Sequence, residues 1–321
     1  MNEFESRWSS IAASGHAAGR YRVSPDHVLD FYVQYSIGGE RELAIEIRSV
    51  EVDEFELPAF RNITAVKVPL FGAMRVGLTL TKEGLARNFS VMCHDLAERT
   101  KAAQTPRAAA GMLVAALDSW AELFRRREGD GLTENEALGL LGELVIVESL
   151  LLESTAGATA IVGGWRGPEG DARDIGVGAT RIEVKAQRAT SASRLRISSL
   201  AQLDDRGQSV FLVAVRLSPG KSGRSLAQVC GAVRGMLADL PVAMHAFERT
   251  ITLSCMDPDA AVSCAPWIVD ERLTYAVNDA FPRLTPAKVD PGVLAVQYEV
   301  GGPAVDRCRV EWSDLLEAID A

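Results

Sequence analysis

The chain has 321 residues, of which 47% are hydrophobic and only 6% aromatic, with a formal net charge of -9. That length accommodates two domains with aliphatic cores. The negative balance excludes a protein that coats nucleic acid through a general positive field, while leaving room for a local basic cleft.

The amino terminus, "MNEFESRWSS", is polar and acidic and does not read as a signal peptide. No apolar run approaches the roughly 20 residues that span a bilayer. The cysteines (Cys93, Cys230, Cys255, Cys264 and Cys308) form no C-x-x-C pair, and neither they nor the histidines show zinc-type spacing. This predicts reduced thiols in a cytoplasmic protein without a membrane segment.

Residues 28 to 93 read mostly as strand. "DFYVQYSI" and "ELAIEIRSV" flank Gly38-Gly39, a hairpin signal, and "NITAVKVPL", "MRVGLTL" and "NFSVMC" continue the pattern. From Asp95 the spacing of apolar residues becomes helical, through "DLAERTKAA" and "AAAGMLVAALDSWAELFRRR". "EGDG" then breaks the chain, and Thr133 with Glu136 forms a capping box that opens a helix over "ENEALGLLGELVIVESLL". A Gly-rich loop, "GGWRGPEGDA", leads into the segment "RDIGVGATRIEVKAQR". Beyond it come a strand "RLRIS", a helical turn "SLAQLDD" and a buried strand "SVFLVAVRL". The tail predicts a helix around "LAQVCGAVRGMLADL", strands around "RTITLSC", "RLTYAVNDAF", "VLAVQYEV" and "RCRVEW", and a closing helix "SDLLEAID". The domains expected are a β-rich N-terminal module over residues 1–100 and a second domain over 101–321 that ends in a C-terminal α/β extension.

Chemistry concentrates in residues 173–188. With Gly178-Ala179 as a two-residue type II′ turn, paired residue numbers sum to 357 and Asp174 faces Glu183. Alternation puts Arg181, Glu183, Lys185 and Gln187 on one face, opposite Ile182, Val184 and Ala186. Two carboxylates this close raise one another's pKa unless a cation intervenes, and a hard divalent ion suits such oxygen ligands. Of the 34 basic residues only 6 are Lys, so Lys185 stands out against an Arg-rich background. The competing account is a solvated hairpin face on which Glu and Lys alternate with aliphatics.

Glu143 lies in "LGLLGELVIV" with Leu140, Ile146 and Val147 as helical neighbours, so it projects from an apolar face. A lone Glu there snorkels to water or answers a nearby cation. Gly139 and Gly142 beside it would admit a closely packed element.

The ordered set of Glu143 on a helix, Asp174 on a strand and Glu183-Val184-Lys185 on the next resembles the PD-(D/E)XK phosphodiesterase superfamily. Within it, "GLLGELVIVESLL", "GGWRGP", "IEVKAQ", "ISSLAQL" and "DAFPRL" are similar to a bacterial family associated with phage defence. The resemblance implies an α+β fold whose restriction-endonuclease-like core runs α-β-β-β-α-β, with a mixed sheet flanked by helices. It implies a Mg²⁺ (or Mn²⁺) ion on Asp174, Glu183 and Glu143, with Lys185 completing a catalytic set for DNA phosphodiester hydrolysis. Gln187, Gln202 and Arg166 are implied substrate contacts, and subunits of a defence system are implied partners. Arg173 stands where the superfamily loosely keeps a proline. The alternative is a catalytically inactive nuclease-fold subunit that binds DNA or scaffolds a defence complex.

Between Trp165 and Arg196, seven basic residues (Arg166, Arg173, Arg181, Lys185, Arg188, Arg194 and Arg196) exceed four acidic ones. Such a patch suits a phosphate backbone. Trp165 has two readings, a platform for a stacked base or an anchor of the loop to the core.

Overall fold

The computed structural model describes residues 3–14, 19–48, 56–125, 132–167, 173–191, 194–205, 207–254, 265–290, 292, 293 and 295–321. The chain forms two compact units, Met1–Asp130 and Gly131–Ala321.

The first unit is an antiparallel sheet covered by helices. Its strands are β1 (Tyr21–Val23), β2 (Asp30–Tyr35), β3 (Arg41–Arg48), β4 (Ile63–Leu70) and β5 (Ala73–Leu80), in the order β1-β2-β3-β5-β4. Alternation in β3 buries Leu43, Ile45 and Ile47 and leaves Glu42, Glu46 and Arg48 less covered, as a sheet with one buried face requires. The β2–β3 hairpin turns through Gly39 at φ +85°, a conformation that favours glycine.

Helices α1 (Glu3–Ser14), α2 (Ala86–Thr100) and α3 (Pro106–Arg125) complete the unit. The strand expected at "NFSVMC" is instead the start of α2, because Phe89, Met92, Cys93 and Leu96 recur at helical spacing and are buried together. The boundary expected at residue 100 falls at 130. The reason is packing within the unit: α3 buries Leu113, Leu117 and Trp120, and the Trp120 indole donates to Asp95 of α2 at 2.8 Å. The break expected at "EGDG" lies outside the described residues.

The second unit opens with α4 (Glu134–Glu153), whose Thr133–Glu136 capping box is formed as expected. After α5 (Ala158–Gly163) come β6 (Ile175–Val177), β7 (Thr180–Arg188), β8 (Arg194–Ile197) and β9 (Ser209–Arg224). Then follow α6 (Leu226–Met236), α7 (Pro241–Ser254), β10 (Trp267–Ala276), β11 (Tyr298–Gly301), α8 (Pro303–Asp306), β12 (Arg309–Val310) and α9 (Trp312–Asp320). The main sheet is ordered β12-β10-β9-β7-β6. It is mixed, since β7 and β9 run parallel while their outer neighbours are antiparallel. The order α4-β6-β7-β9-α6-β10 matches the α-β-β-β-α-β core that the resemblance implies, with α5, β8 and α7 added.

Both faces of β9 are covered, which explains its unbroken apolar run. Phe211, Val213 and Val215 join the core under α4 and α6, while Val210, Leu212 and Ala214 meet the small β8–β11 sheet. "RTITLSC" proves helical through Ser254, as part of α7, because Phe247, Thr250 and Ile251 share one buried helix face.

Gly142 admits the sheet: a Cβ on it would lie 2.6 Å from that of Ala186 in β7. Gly139 faces open space, so only one of the two glycines serves a close approach. Cys93, Cys230 and Cys308 are buried and in no disulfide. Among the described residues, no helix is long and apolar enough to cross a membrane.

Candidate active site

The β6–β7 register pairs Ile175 with Ile182, Gly176 with Arg181 and Val177 with Thr180. Those numbers sum to 357, and Gly178 adopts φ +54° while Ala179 does not turn positive, as a II′ turn requires. One step further along this ladder, Asp174 comes opposite Glu183. The Val184 backbone N–H donates to Asp174 Oδ2 at 2.7 Å and fixes the carboxylate against β7.

Register with β9 sets what surrounds Glu183. Glu183 pairs with Leu212 and Lys185 with Ala214, both members of the apolar cluster under the β8–β11 sheet. Glu183 is only 1% exposed, and neither of its carboxylate oxygens accepts a hydrogen bond. Lys185 Nζ lies 2.6 Å from Glu183 Oε1 and pairs with its charge. Burial, followed by the Asp174 charge, pushes the Glu183 carboxyl up to about 8 against the pull of Lys185.

Glu143 approaches from the α4 side, and its Oε2 accepts the Trp165 indole N–H at 2.8 Å. Burial and then Asp174 hold its carboxyl well above the usual range, opposed by that indole N–H. Asp174 is raised as well, by burial, with the Val184 N–H and Lys185 pulling the other way.

The place where Glu143 and Asp174 meet is occupied by Gly167. The Arg166 and Gly167 N–H groups both donate to the Asp174 carbonyl, at 2.8 and 3.0 Å. A Cβ on Gly167 would stand 2.7 Å from Asp174 Oδ1 and 2.9 Å from Glu143 Oε2. Two carboxylate oxygens therefore converge on the single point that glycine leaves open. A methyl group there is expected to weaken divalent-cation binding in Gly167→Ala by about 10- to 100-fold. Calorimetric titration alongside a thermal melt checks this, and unchanged affinity with unchanged melting would detach Gly167 from the site.

A family model described as "Putative PD-(D/E)XK family member, (DUF4420)" matches residues 4–301. The chain belongs to this family. The match runs through both compact units. No curated protein and no solved structure matches the chain.

PD-(D/E)XK proteins generally use divalent metal ions. Among the described residues, no three acidic, imidazole or thiol side chains already close on one point at ligating distance. Each carboxylate instead leans on a nearby donor or cation: Val184 N–H, Trp165 N–H or the Lys185 ammonium. The donor chemistry fits a hard cation. Two carboxylates with raised pKa values, Asp174 and Glu143, flank the glycine gap, and the third, the buried Glu183, lies across the strand pair from Asp174 with its own pKa raised.

The other expected contacts lie elsewhere. The Gln187 amide donates to the Arg194 carbonyl, and Gln202 Oε1 accepts the Ser198 N–H at 2.8 Å, so both side chains fasten local backbone. Trp165 is fully buried, with its ring centroid 5.9 Å from that of Phe247, which removes the base-stacking reading. Its role toward Glu143 was not legible in "GGWRG", because the hydrogen bond spans 22 residues. The basic patch also divides. Arg188 pairs with Glu134 and lies over the Trp267 ring at 5.2 Å, Arg194 faces Glu299 at 3.7 Å, and Arg196 donates to Gln297. Arg166, Arg173 and Arg181 instead gather around one cleft.

Proposed function

We propose that this PD-(D/E)XK family member is a divalent-metal-dependent nuclease that hydrolyses DNA phosphodiester bonds. The observation that carries this reading is an almost wholly buried carboxylate, Glu183, raised in pKa beside Asp174, with Lys185 2.6 Å from one of its oxygens and no donor on the other. Two buried carboxylates beside a single ammonium are costly to ionise together unless a further cation joins them. Asp174, Glu183 and Glu143 would hold Mg²⁺ or Mn²⁺. When bound, such an ion polarises a phosphate oxygen and lowers the pKa of a coordinated water.

The rest belongs to the chain. The Val184 N–H aims Asp174, the Trp165 indole aims Glu143, and Gly167 leaves their oxygens uncovered. Lys185 shares a strand face with Glu183 and offers a point charge where negative charge builds on the phosphate. Phage restriction is the setting this reading favours, with a cytoplasmic location.

Wild-type protein should bind Mg²⁺ or Mn²⁺ and cut DNA only in its presence, and Asp174→Ala should lose both properties. Calorimetry and a plasmid-nicking assay read the two separately. Metal binding unaltered by Asp174→Ala would favour the non-catalytic subunit instead.

A further inference from the structure

We infer that Arg166, Arg173 and Arg181 form a phosphodiester-backbone cleft beside the acidic centre, a subsite that grips nucleic acid without reading or stacking its bases. The inference rests on the nucleic-acid substrate proposed above, but not on cleavage.

The cleft has a volume of about 450 Å³. Besides the three arginines it is lined by Thr159, Ala160, Gly163, Gly164 and Gly176. Its wall is made where the Gly-rich loop joins the edge strand. Trp165 bridges to Ile175, and the Gly176 N–H donates to the Gly164 carbonyl at 2.9 Å. A side chain on Gly164 would collide with the Gly176 carbonyl, so the loop closes on the edge strand only because Gly164 is glycine. The glycine floor lets a bulky anion approach the backbone.

Each guanidinium is steadied by protein acceptors. Arg181 donates to the Gly178 and Thr180 carbonyls at 2.8 and 2.9 Å, and Arg173 reaches the Gln202 carbonyl and Gln208 Oε1. Arg166 contacts the Gly163 carbonyl at 3.4 Å. The carbonyl partners of Arg166 and Arg181 position a guanidinium without neutralising it, which suits bidentate contact with phosphate oxygens.

The cleft is joined to the carboxylates through the backbone itself. Arg166 precedes Gly167, Arg173 precedes Asp174, and the Arg166 N–H binds the Asp174 carbonyl. A strand lying in the cleft would therefore run on toward Asp174 and Glu183. Among the described residues no aromatic side chain lines it, so they offer no stacking platform for unpaired bases. The chemistry selected is a run of phosphates, with duplex bound at least as tightly as single strand.

The test is fluorescence anisotropy with labelled duplex and single-stranded DNA in chelator, which separates binding from cutting, over a series of salt concentrations. Arg166→Ala and Arg181→Ala should each weaken duplex binding by roughly tenfold and lower the salt slope by about 0.9 per lost phosphate contact. Thr159→Glu places a carboxylate at an exposed cleft position without removing any bond, and should weaken binding similarly. Arg194→Ala, which removes a basic residue outside the cleft, should leave affinity unchanged.

Unchanged affinity and slope in the cleft variants would overturn the inference, as would a wild-type protein that binds neither DNA form. Tighter binding of single strand than duplex would overturn the backbone-only assignment. Failure of the nuclease reading looks different: cleft-dependent binding would persist while no metal restores cutting.

Discussion

Glu183→Gln is expected to flatten the pH dependence of stability in chelator and, in the same variant, to abolish divalent-cation binding. An ordinary glutamate titrates near 4.5, whereas burial raises Glu183 to about 8. Between those values the folded protein holds a proton that the unfolded chain releases. The stabilisation is therefore complete below the lower value and is lost as pH rises through the upper one. Each pH unit in that window costs up to about 1.4 kcal/mol. Asp174 and Glu143 are also raised, so they add slope of the same sign. Gln keeps the shape of the side chain and removes its proton equilibrium. The variant should thus exceed wild type by roughly 2–4 kcal/mol near pH 8 in chelator, and the two should converge near pH 5. Urea unfolding across that range measures the difference. Parallel stability curves for the two proteins would show that burial does not hold Glu183 neutral.

Lys185→Ala should lower cleavage by about 10²- to 10⁴-fold while leaving cation affinity near that of wild type. Lys185 is not among the proposed oxygen ligands, and its side chain keeps 18% exposure beside the almost wholly covered Glu183. It can therefore meet a substrate phosphate while its neighbour meets the ion. Lys185→Arg should rescue little, because a planar fork cannot replace a compact ammonium at 2.6 Å from a buried oxygen. Single-turnover cleavage with parallel calorimetry separates the cases. Full activity without Lys185 would remove it from the mechanism, and joint loss of metal binding and cutting would make it a structural partner of Glu183.

Local signals were sufficient where the interaction itself is local. Thr133 and Glu136 announce their helix because the capping box closes within three residues. Gly178-Ala179 sets the hairpin register because a two-residue turn leaves the strands no freedom to slip. They were insufficient at "NFSVMC" and "RTITLSC", short apolar runs whose period is ambiguous until a partner surface is known. The opening helix α1 drew no prediction, though Phe4, Trp8 and Ile11 recur at helical spacing and are buried.

By itself the sequence determined the pairing that brings Asp174 to Glu183 and the strand face shared with Lys185, while the second unit's α-β-β-β-α-β order came from the family resemblance. The pairing and the shared face follow from turn chemistry and from the twofold period of a strand. The tertiary structure alone decided that Trp165 serves Glu143 and not a base, and that Gly167 marks where two carboxylates meet. It also decided which three of seven basic residues share a cleft, and that the first unit extends to residue 130. The physical reason is distance along the chain: these contacts join segments whose approach depends on how helices and sheet pack, and no local periodicity encodes it.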